Sequence, residues 1–241
     1  MNYFVGIGCA VFFGMLSTLM LRSILEYGIT TAQSADQNSI VNNNEMEVRS
    51  VGSEVQSQIT LAGYIKYLLL VIVSGIAVSV FLVWFYQQDL HYVILTTAII
   101  SVLWACGWYD LKYHLIPNRI IIFALILRAI IFILQIAFTP GEFKAILLSS
   151  GIAALALMTG AILCRFLSPN SVGYGDVKLL GIMGLYLGAN HIWSPLFMTL
   201  ILLFFTGVIL LILKKADRKT EIPFAPFLLA GTVIAAILTG A

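Results

Sequence analysis

The sequence has few charged residues and few cysteines. Charged side chains make up 10% of its 241 residues, whereas a soluble domain carries about 25%. Three cysteines are too few for a secreted scaffold held by disulfides, and a formal net charge of +2 gives no reason to expect a nucleic-acid partner. Apolar residues are abundant instead, at 61%, with a mean hydropathy of +1.01. This composition excludes a soluble domain and a disordered chain, and it predicts a protein of the lipid bilayer.

Apolar runs that are long enough to cross a bilayer recur along the chain. A membrane-spanning helix needs about 17–25 mostly apolar residues. The sequence therefore predicts an all-α, polytopic membrane protein with about eight transmembrane helices, of which the sixth is short. The predicted spans are 3–25, 61–86, 92–109, 120–138, 145–167, 177–187, 196–213 and 224–239.

The distribution of Lys and Arg predicts the orientation of these spans, because both residues accumulate on the cytoplasmic side. With the N-terminus outside, every Lys and Arg except Lys144 and Arg128 falls in a cytoplasmic segment. Arg128 lies within the fourth span, where it needs a polar partner or must extend to the interface. The sequence leaves these two possibilities for Arg128 open.

Residues 30–60 differ from the rest of the chain because they are rich in Ser, Thr, Asn and Gln and contain no aromatic residue. Such a stretch buries too little apolar surface to offset the entropy lost on ordering. We therefore expect two parts: residues 1–60, with the first transmembrane helix and a flexible polar cytoplasmic loop, and residues 61–241, which form the transmembrane core.

Two aspartates lie at span ends, where carboxylates are costly and indicate function. Asp110 directly follows the third apolar run, and Pro117 predicts that this helix ends between the two residues. Asp176 follows Gly173 and Gly175, which permit close approach of another chain segment. Small residues at 181, 184 and 188 then predict close helix packing. The predicted topology places both aspartates on the cytoplasmic face.

Two carboxyl groups that meet on one face can perform acid–base chemistry on water. They share one proton near neutral pH, because both do not ionise easily at short distance. The ionised member accepts a proton from water while the protonated member polarises a scissile carbonyl. The alternative is that each aspartate caps a helix or pairs with Lys112 or Lys178, although residues i and i+2 do not face each other on a helix.

Three stretches resemble the motifs of the type IV prepilin peptidases. The first consists of an aspartate, a basic residue and an Ile-Pro-Asn sequence, and its matching positions are Asp110, Lys112, Pro117 and Asn118. The second resembles Gly-x-Gly-Asp-x-Lys at positions Gly173, Gly175, Asp176 and Lys178. The third, at 222–227, resembles Ile-Pro-Phe-Gly-Pro-Phe through Pro223 and Pro226, with Ala225 in place of the glycine.

The resemblance implies an aspartic endopeptidase with Asp110 and Asp176 as its catalytic pair, and residues 61–241 as the peptidase core. Its substrates would be type IV prepilins or pseudopilins, cleaved between a short basic leader and a hydrophobic helix. Cleavage would take place at the cytoplasmic surface of the bacterial inner membrane, in contact with lipid. Lys112 and Lys178 would lie near lipid phosphates or help to position the substrate.

Two other functions remain as alternatives. A presenilin-like intramembrane protease shares Gly-x-Gly-Asp and an upstream Tyr-Asp pair, and a transporter or scaffold could use both aspartates to bind ions. The Asp-x6-Pro-Asn and Ile-Pro-Phe features favour the prepilin peptidase. Long members of that family carry Cys-x-x-Cys motifs between their first two spans, whereas residues 30–60 contain neither Cys nor His. We therefore expect a short form with no metal, no cofactor and no methyltransferase activity of the usual kind.

Overall fold

The computed structural model of the protein describes residues 7–20, 22–23, 61–138, 141, 143–167, 173–213 and 222–240. The predicted loop at 30–60 lies outside the described residues. Within them a helix lies at each of the eight predicted spans, and no strand is present, which confirms the all-α class. The helices are α1 Ile7–Met20, α2 Leu61–Trp84, α3 Leu90–Tyr113, α4 Asn118–Phe138, α5 Phe143–Leu167, α6 Tyr174–His191, α7 Trp193–Ile212 and α8 Phe224–Thr239.

Five of these helices are long and apolar enough to cross a membrane, so the chain is a polytopic membrane protein. These segments are Ile65–Trp84, Leu90–Tyr113, Asn118–Ala137, Phe143–Leu167 and Trp193–Ile212. The apolar helices α1 and α8 are shorter in the described part of the chain. Helix α6 lies outside this set of five, and its backbone is broken at Gly188, which has a φ of 68°.

Helix α3 lies at the centre of the bundle and α7 at its periphery. Within the apolar part of each helix, 78% of α3 is buried inside the protein but only 11% of α7. Helix α3 packs against α2, α4, α6 and α8. Asp110 lies in the last turn of α3 and is buried, with 5% of its surface exposed, whereas Leu111 and Tyr113 in the same turn are exposed.

The end of α3 confirms the effect predicted for Pro117. The helix ends at Tyr113, and His114 adopts left-handed backbone geometry with a φ of 49°. The His114 N–H donates to the Asp110 carbonyl oxygen at 2.9 Å, and α4 begins at Asn118 directly after the proline. This short turn reverses the chain and places the start of α4 beside the end of α3.

Helices α5 and α6 pack closely, as the glycines of α6 predict. A methyl carbon at Gly184 would lie 2.5 Å from the backbone nitrogen of Ala154, which is closer than two such atoms can approach. At Gly181 it would lie 2.7 Å from Met158. The two helices can therefore pack in this register only because these positions have no side chain. Gly188 also packs closely against α5, because a methyl carbon there would lie 2.9 Å from Ser149 Oγ, and it forms the backbone break as well.

Candidate active site

All three family-like stretches lie at one end of the helix bundle. Asp110 is in the last turn of α3, Asp176 is in the first turn of α6, and Ala225 is in the first turn of α8. The turn before α4 contacts the start of α6, because a methyl carbon at Gly175 would lie 3.0 Å from Ile116 Cβ. The structure therefore brings together segments that are more than a hundred positions apart in the chain.

Asp110 is buried, with 5% of its surface exposed, and its carboxylate binds the N-terminus of α8. The Ala225 N–H donates to Asp110 Oδ2 at 3.0 Å. The first N–H groups of a helix have no partner within that helix. They form the positive end of the helix dipole, which attracts a carboxylate. Pro226 in the same turn has no N–H to donate. The third motif thus supplies a hydrogen-bond donor to the aspartate of the first motif.

Helices α3 and α8 approach each other closely at Gly107. A methyl carbon there would lie 3.4 Å from Pro226 Cα and 3.8 Å from the Ala225 carbonyl carbon, so the two backbones nearly touch. Ala225 is completely buried. The alanine that replaces the glycine of the family motif is therefore accommodated in the interior.

Asp176 is held by its own turn. The Gly173 N–H donates to Asp176 Oδ2 at 3.2 Å, which closes the loop around the helix start. Gly173 has extended backbone geometry, and Gly175 has no side chain to separate the loop from Ile116. Asp176 is only partly buried, in contrast to Asp110.

The charge of Asp110 acts electrostatically on Asp176. Burial raises the pKa of the Asp176 carboxyl to about 6, the negative charge of Asp110 raises this pKa as well, and the hydrogen bond from Gly173 lowers it. An effect of one carboxylate on the other requires that they lie near each other. A carboxyl group with a pKa of about 6 can hold or release a proton close to neutral pH.

Helix capping, the alternative that the sequence left open, is present for both aspartates. Asp110 caps α8, and Asp176 caps α6. An ionised carboxylate has about four acceptor positions, so one capping bond leaves capacity for water or substrate. The other alternative was that the aspartates pair with lysine. Lys178 Nζ instead donates to Asn118 Oδ1 at 2.8 Å.

The remaining motif residues surround this pair. Lys112 Nζ lies 5.5 Å from the centre of the Trp108 ring and 5.3 Å from that of Tyr113, in cation–π contact with both. The bond from Lys178 to Asn118 joins the second motif to the first. The contacts of Lys112 are local to α3, whereas the bond between Lys178 and Asn118 was not evident from the sequence, because it depends on the fold that brings these helix ends together.

An apolar groove of about 350 Å³ opens beside Asp110. Its lining includes Leu111, the residue after that aspartate, and the two prolines of the third motif. The full lining is Leu111, Thr206, Leu210, Ile222, Pro223, Pro226, Phe227 and Ala230. Sequence reasoning missed this groove. The only signal was the pair of prolines, which give the start of α8 a fixed shape.

The described segments contain no cluster of three or more His, Cys, Asp or Glu side chains that could hold a metal ion. Cys9, Cys106 and Cys164 lie on α1, α3 and α5 respectively.

Comparison with known families agrees with these motifs. Residues 97–212 match the family model of the type IV leader peptidase family. This segment, just under half of the chain, is similar to that family. The matched segment runs from α3 to the end of α7, so it includes both Asp110 and Asp176. Helix α8, which supplies the hydrogen bond to Asp110, lies beyond it.

Two curated proteins of the family are similar to the chain. The prepilin leader peptidase/N-methyltransferase of Bacillus subtilis is 28% identical over 136 residues, which cover 56% of this chain and 52% of that protein. The prepilin leader peptidase/N-methyltransferase of Xanthomonas campestris pv. campestris is 29% identical over 132 residues, covering 54% and 45%. The chain thus spans about half the length of these relatives. No solved structure gives a significant match.

Proposed function

We propose that the protein is a membrane aspartic endopeptidase that removes the leader peptide from type IV prepilins or pseudopilins. The observation that carries this proposal is the electrostatic interaction between Asp110 and Asp176, which occupy the aspartate positions of two family motifs at one end of the bundle. The excess of Lys and Arg on that side supports a cytoplasmic location at the bacterial inner membrane, with the N-terminus outside.

In the proposed reaction the two aspartates share one proton. Asp176, with a pKa of about 6, holds this proton and donates a hydrogen bond to the scissile carbonyl. Asp110, ionised and held by the Ala225 N–H, accepts a proton from water as the water oxygen attacks the carbonyl carbon. The carbon–nitrogen bond then breaks, and a proton passes to the leaving amine. Neither step uses a nucleophilic side chain.

The groove beside Asp110 supports a substrate with an apolar segment at the cut. Its lining is formed almost entirely by aliphatic, proline and phenylalanine side chains. Such a surface fits the first residues of a hydrophobic helix, which follow the leader in the proposed substrates. In this arrangement the scissile bond would lie between the groove and the polar rim formed by Asn118, Lys178 and the Gly173 turn.

Single replacement of each aspartate tests the proposal. Asp110→Asn and Asp176→Asn should each reduce leader removal from a co-expressed prepilin by about 10²- to 10⁴-fold, the usual contribution of a general acid or base. Asparagine keeps the size and polarity of the side chain but cannot exchange the proton. Leader removal is measured by the change in prepilin mobility on a gel.

The matched control is Asp89→Asn, which changes an exposed aspartate just before α3, at the opposite end of that helix. Cleavage by this variant should equal that of the unaltered chain. Normal leader removal by Asp176→Asn, in protein that accumulates normally, would contradict the proposal.

A further inference from the structure

Arg128 lies in the apolar interior of α4 and is buried, with 6% of its surface exposed. A charged side chain at this depth is costly and indicates a function. Its guanidinium donates three hydrogen bonds: Nε to the Leu185 carbonyl oxygen at 2.8 Å, Nη1 to Gln135 Oε1 at 3.0 Å and Nη2 to Ser150 Oγ at 3.4 Å. All three acceptors are neutral oxygens. Of the two possibilities left open by the sequence, Arg128 therefore has polar partners within the bundle.

The contact with Leu185 lies next to the break in α6. In an unbroken helix the Leu185 carbonyl would accept a hydrogen bond from the Ala189 N–H, four positions later. Gly188, with its φ of 68°, interrupts that pattern. The Leu185 carbonyl binds Arg128 instead, and the Ala189 N–H donates to Ser149 Oγ at 3.0 Å. Side chains of α4 and α5 thus satisfy both backbone groups, as a lipid environment requires.

The part of α6 that precedes the break at Gly188 forms hydrogen bonds with α4 at both of its ends. Near the break, Arg128 binds the Leu185 carbonyl, and the Tyr186 hydroxyl donates to the Ala124 carbonyl at 2.8 Å. Near the candidate active site, Lys178 binds Asn118. Between these attachments α6 rises about 1.5 Å per residue. A shift at Leu185 is therefore transmitted along a rigid helix to Asp176.

We propose that Arg128 is a positioning residue: by holding the Leu185 carbonyl at the break, it sets the axial position of α6 against α4 and hence the place of Asp176 relative to Asp110. The catalytic consequence of this role rests on the proposed function, but the positional role does not. The positive charge of Arg128 is also favourable at the break in α6, because the C-terminal end of a helical segment carries a partial negative charge.

Arginine is suited to this task by its geometry. Its planar guanidinium presents donors in a fixed fork, and here they reach acceptors on α4, α5 and α6 simultaneously. Lysine has a single flexible ammonium group and cannot hold the same three directions. Arg128→Lys therefore separates the presence of a positive charge from the orientation of the donors.

Cross-linking between α4 and α6 tests the positional role without relying on enzyme activity. Asn118→Cys and Lys178→Cys are combined in the full chain after Cys9, Cys106 and Cys164 have been replaced by alanine. In membranes, a short bis-thiol reagent should join the two new cysteines efficiently when Arg128 is present. The yield of this cross-link should decrease in the Arg128→Lys variant. In the Arg128→Met variant it should approach the yield of the single-cysteine controls.

The matched control for general destabilisation is Leu82→Ala, which removes a completely buried side chain from α2 and leaves every partner of Arg128 in place. This variant should retain the cross-link. Undiminished cross-linking in folded Arg128→Met protein would overturn the inference. If Arg128→Met does not accumulate, the comparison between Arg128→Lys and Leu82→Ala decides, and equal yields from these two would overturn it as well.

Leader cleavage, measured with Asn118 and Lys178 intact, adds a second readout. Arg128→Lys should reduce cleavage by about 100-fold per folded molecule, because a displacement of about 1 Å at a catalytic group can cost that factor. Leu82→Ala should reduce it only in proportion to folded protein. A cross-link that depends on Arg128 in a chain that cleaves no prepilin would support the positional role while refuting the proposed function. Prepilin cleavage by a chain whose cross-link does not depend on Arg128 would refute the positional role alone.

Discussion

The two aspartates differ in how the fold holds them. Asp110 is almost completely buried and binds a backbone N–H that lies 115 positions later in the chain. Asp176 is partly exposed and binds an N–H that lies three positions earlier. The first carboxylate therefore depends on the tertiary packing of α3 against α8, and the second depends mainly on a local turn.

This difference fits a division of chemical roles. A carboxylate that is fixed by a distant helix keeps a constant position, as a base that activates water needs to do. Asp176, in the first turn of α6, is partly exposed, and its pKa of about 6 suits the proposed role of proton donor.

Among changes to the residues that hold the two carboxylates, the largest effect is expected from removing the hydrogen bond to Asp110. Ala225→Pro deletes the N–H donor, and proline is tolerated in the first turn of a helix. A hydrogen bond to a charged group contributes about 1.5–3 kcal/mol, so cleavage should fall by about 10- to 100-fold. Initial rates of leader removal by purified enzyme in detergent measure the loss.

Ala225→Gly is the matched control, because it changes the same position, retains the N–H and restores the glycine of the family motif. It should cleave at nearly the normal rate. Equal losses in both variants would show that the alanine methyl group, and not the hydrogen bond, matters at this position.

A smaller effect is expected from crowding the turn that holds Asp176. In Gly175→Ala the added methyl carbon would lie 3.0 Å from Ile116 Cβ, so the turn must move by a few tenths of an ångström. Cleavage should decrease, but by less than the 100-fold that a displacement of about 1 Å can cost. Gly160→Ala on α5 is the control, because no atom lies within 4 Å of the added methyl carbon. An unchanged rate in Gly175→Ala would show that Asp176 tolerates movement of its turn.

The smallest effect concerns stability and its pH dependence. The pKa of Asp176 is raised from 3.8 to about 6 in the folded protein, so the folded state binds this proton more tightly than the unfolded state. The contribution to stability is fully present below pH 3.8 and is lost as the pH rises through about 6. Asp176→Asn cannot ionise and should therefore increase the melting temperature at pH 8 but not at pH 4. Asp89→Asn, which changes an exposed aspartate, is the control and should show no such increase. Melting curves in detergent at both pH values measure these changes. Equal changes in melting temperature for the two variants would contradict the prediction.

Features that depend on neighbouring residues could be predicted from the sequence. Pro117 indicated where α3 ends, and the structure ends that helix at Tyr113. The apolar runs indicated where the helices lie, because lipid requires each backbone group to be paired within its own segment. The glycines at 181 and 184 indicated close packing, which the structure shows against α5.

Features that depend on distant residues could not be predicted. Nothing in the sequence around Asp110 indicates that its partner is the Ala225 N–H, because a backbone donor has no sequence signature. Arg128 was visible as a charge in an apolar run, but its binding partner is a carbonyl released by a break at Gly188. A glycine in an apolar helix has the same appearance whether it serves packing or a left-handed backbone, and only the packed structure distinguishes the two.

The long separation between Asp110 and Ala225 has a consequence during synthesis of the protein. A ribosome completes α3 and inserts it into the membrane well before it reaches α8, so Asp110 has to wait for its hydrogen-bond donor. Before α8 has been synthesised, both aspartates are present in the chain, but the Asp110 carboxylate lacks the Ala225 N–H that holds it. If the proposed function is right, full activity would therefore arise only when α8 joins the bundle.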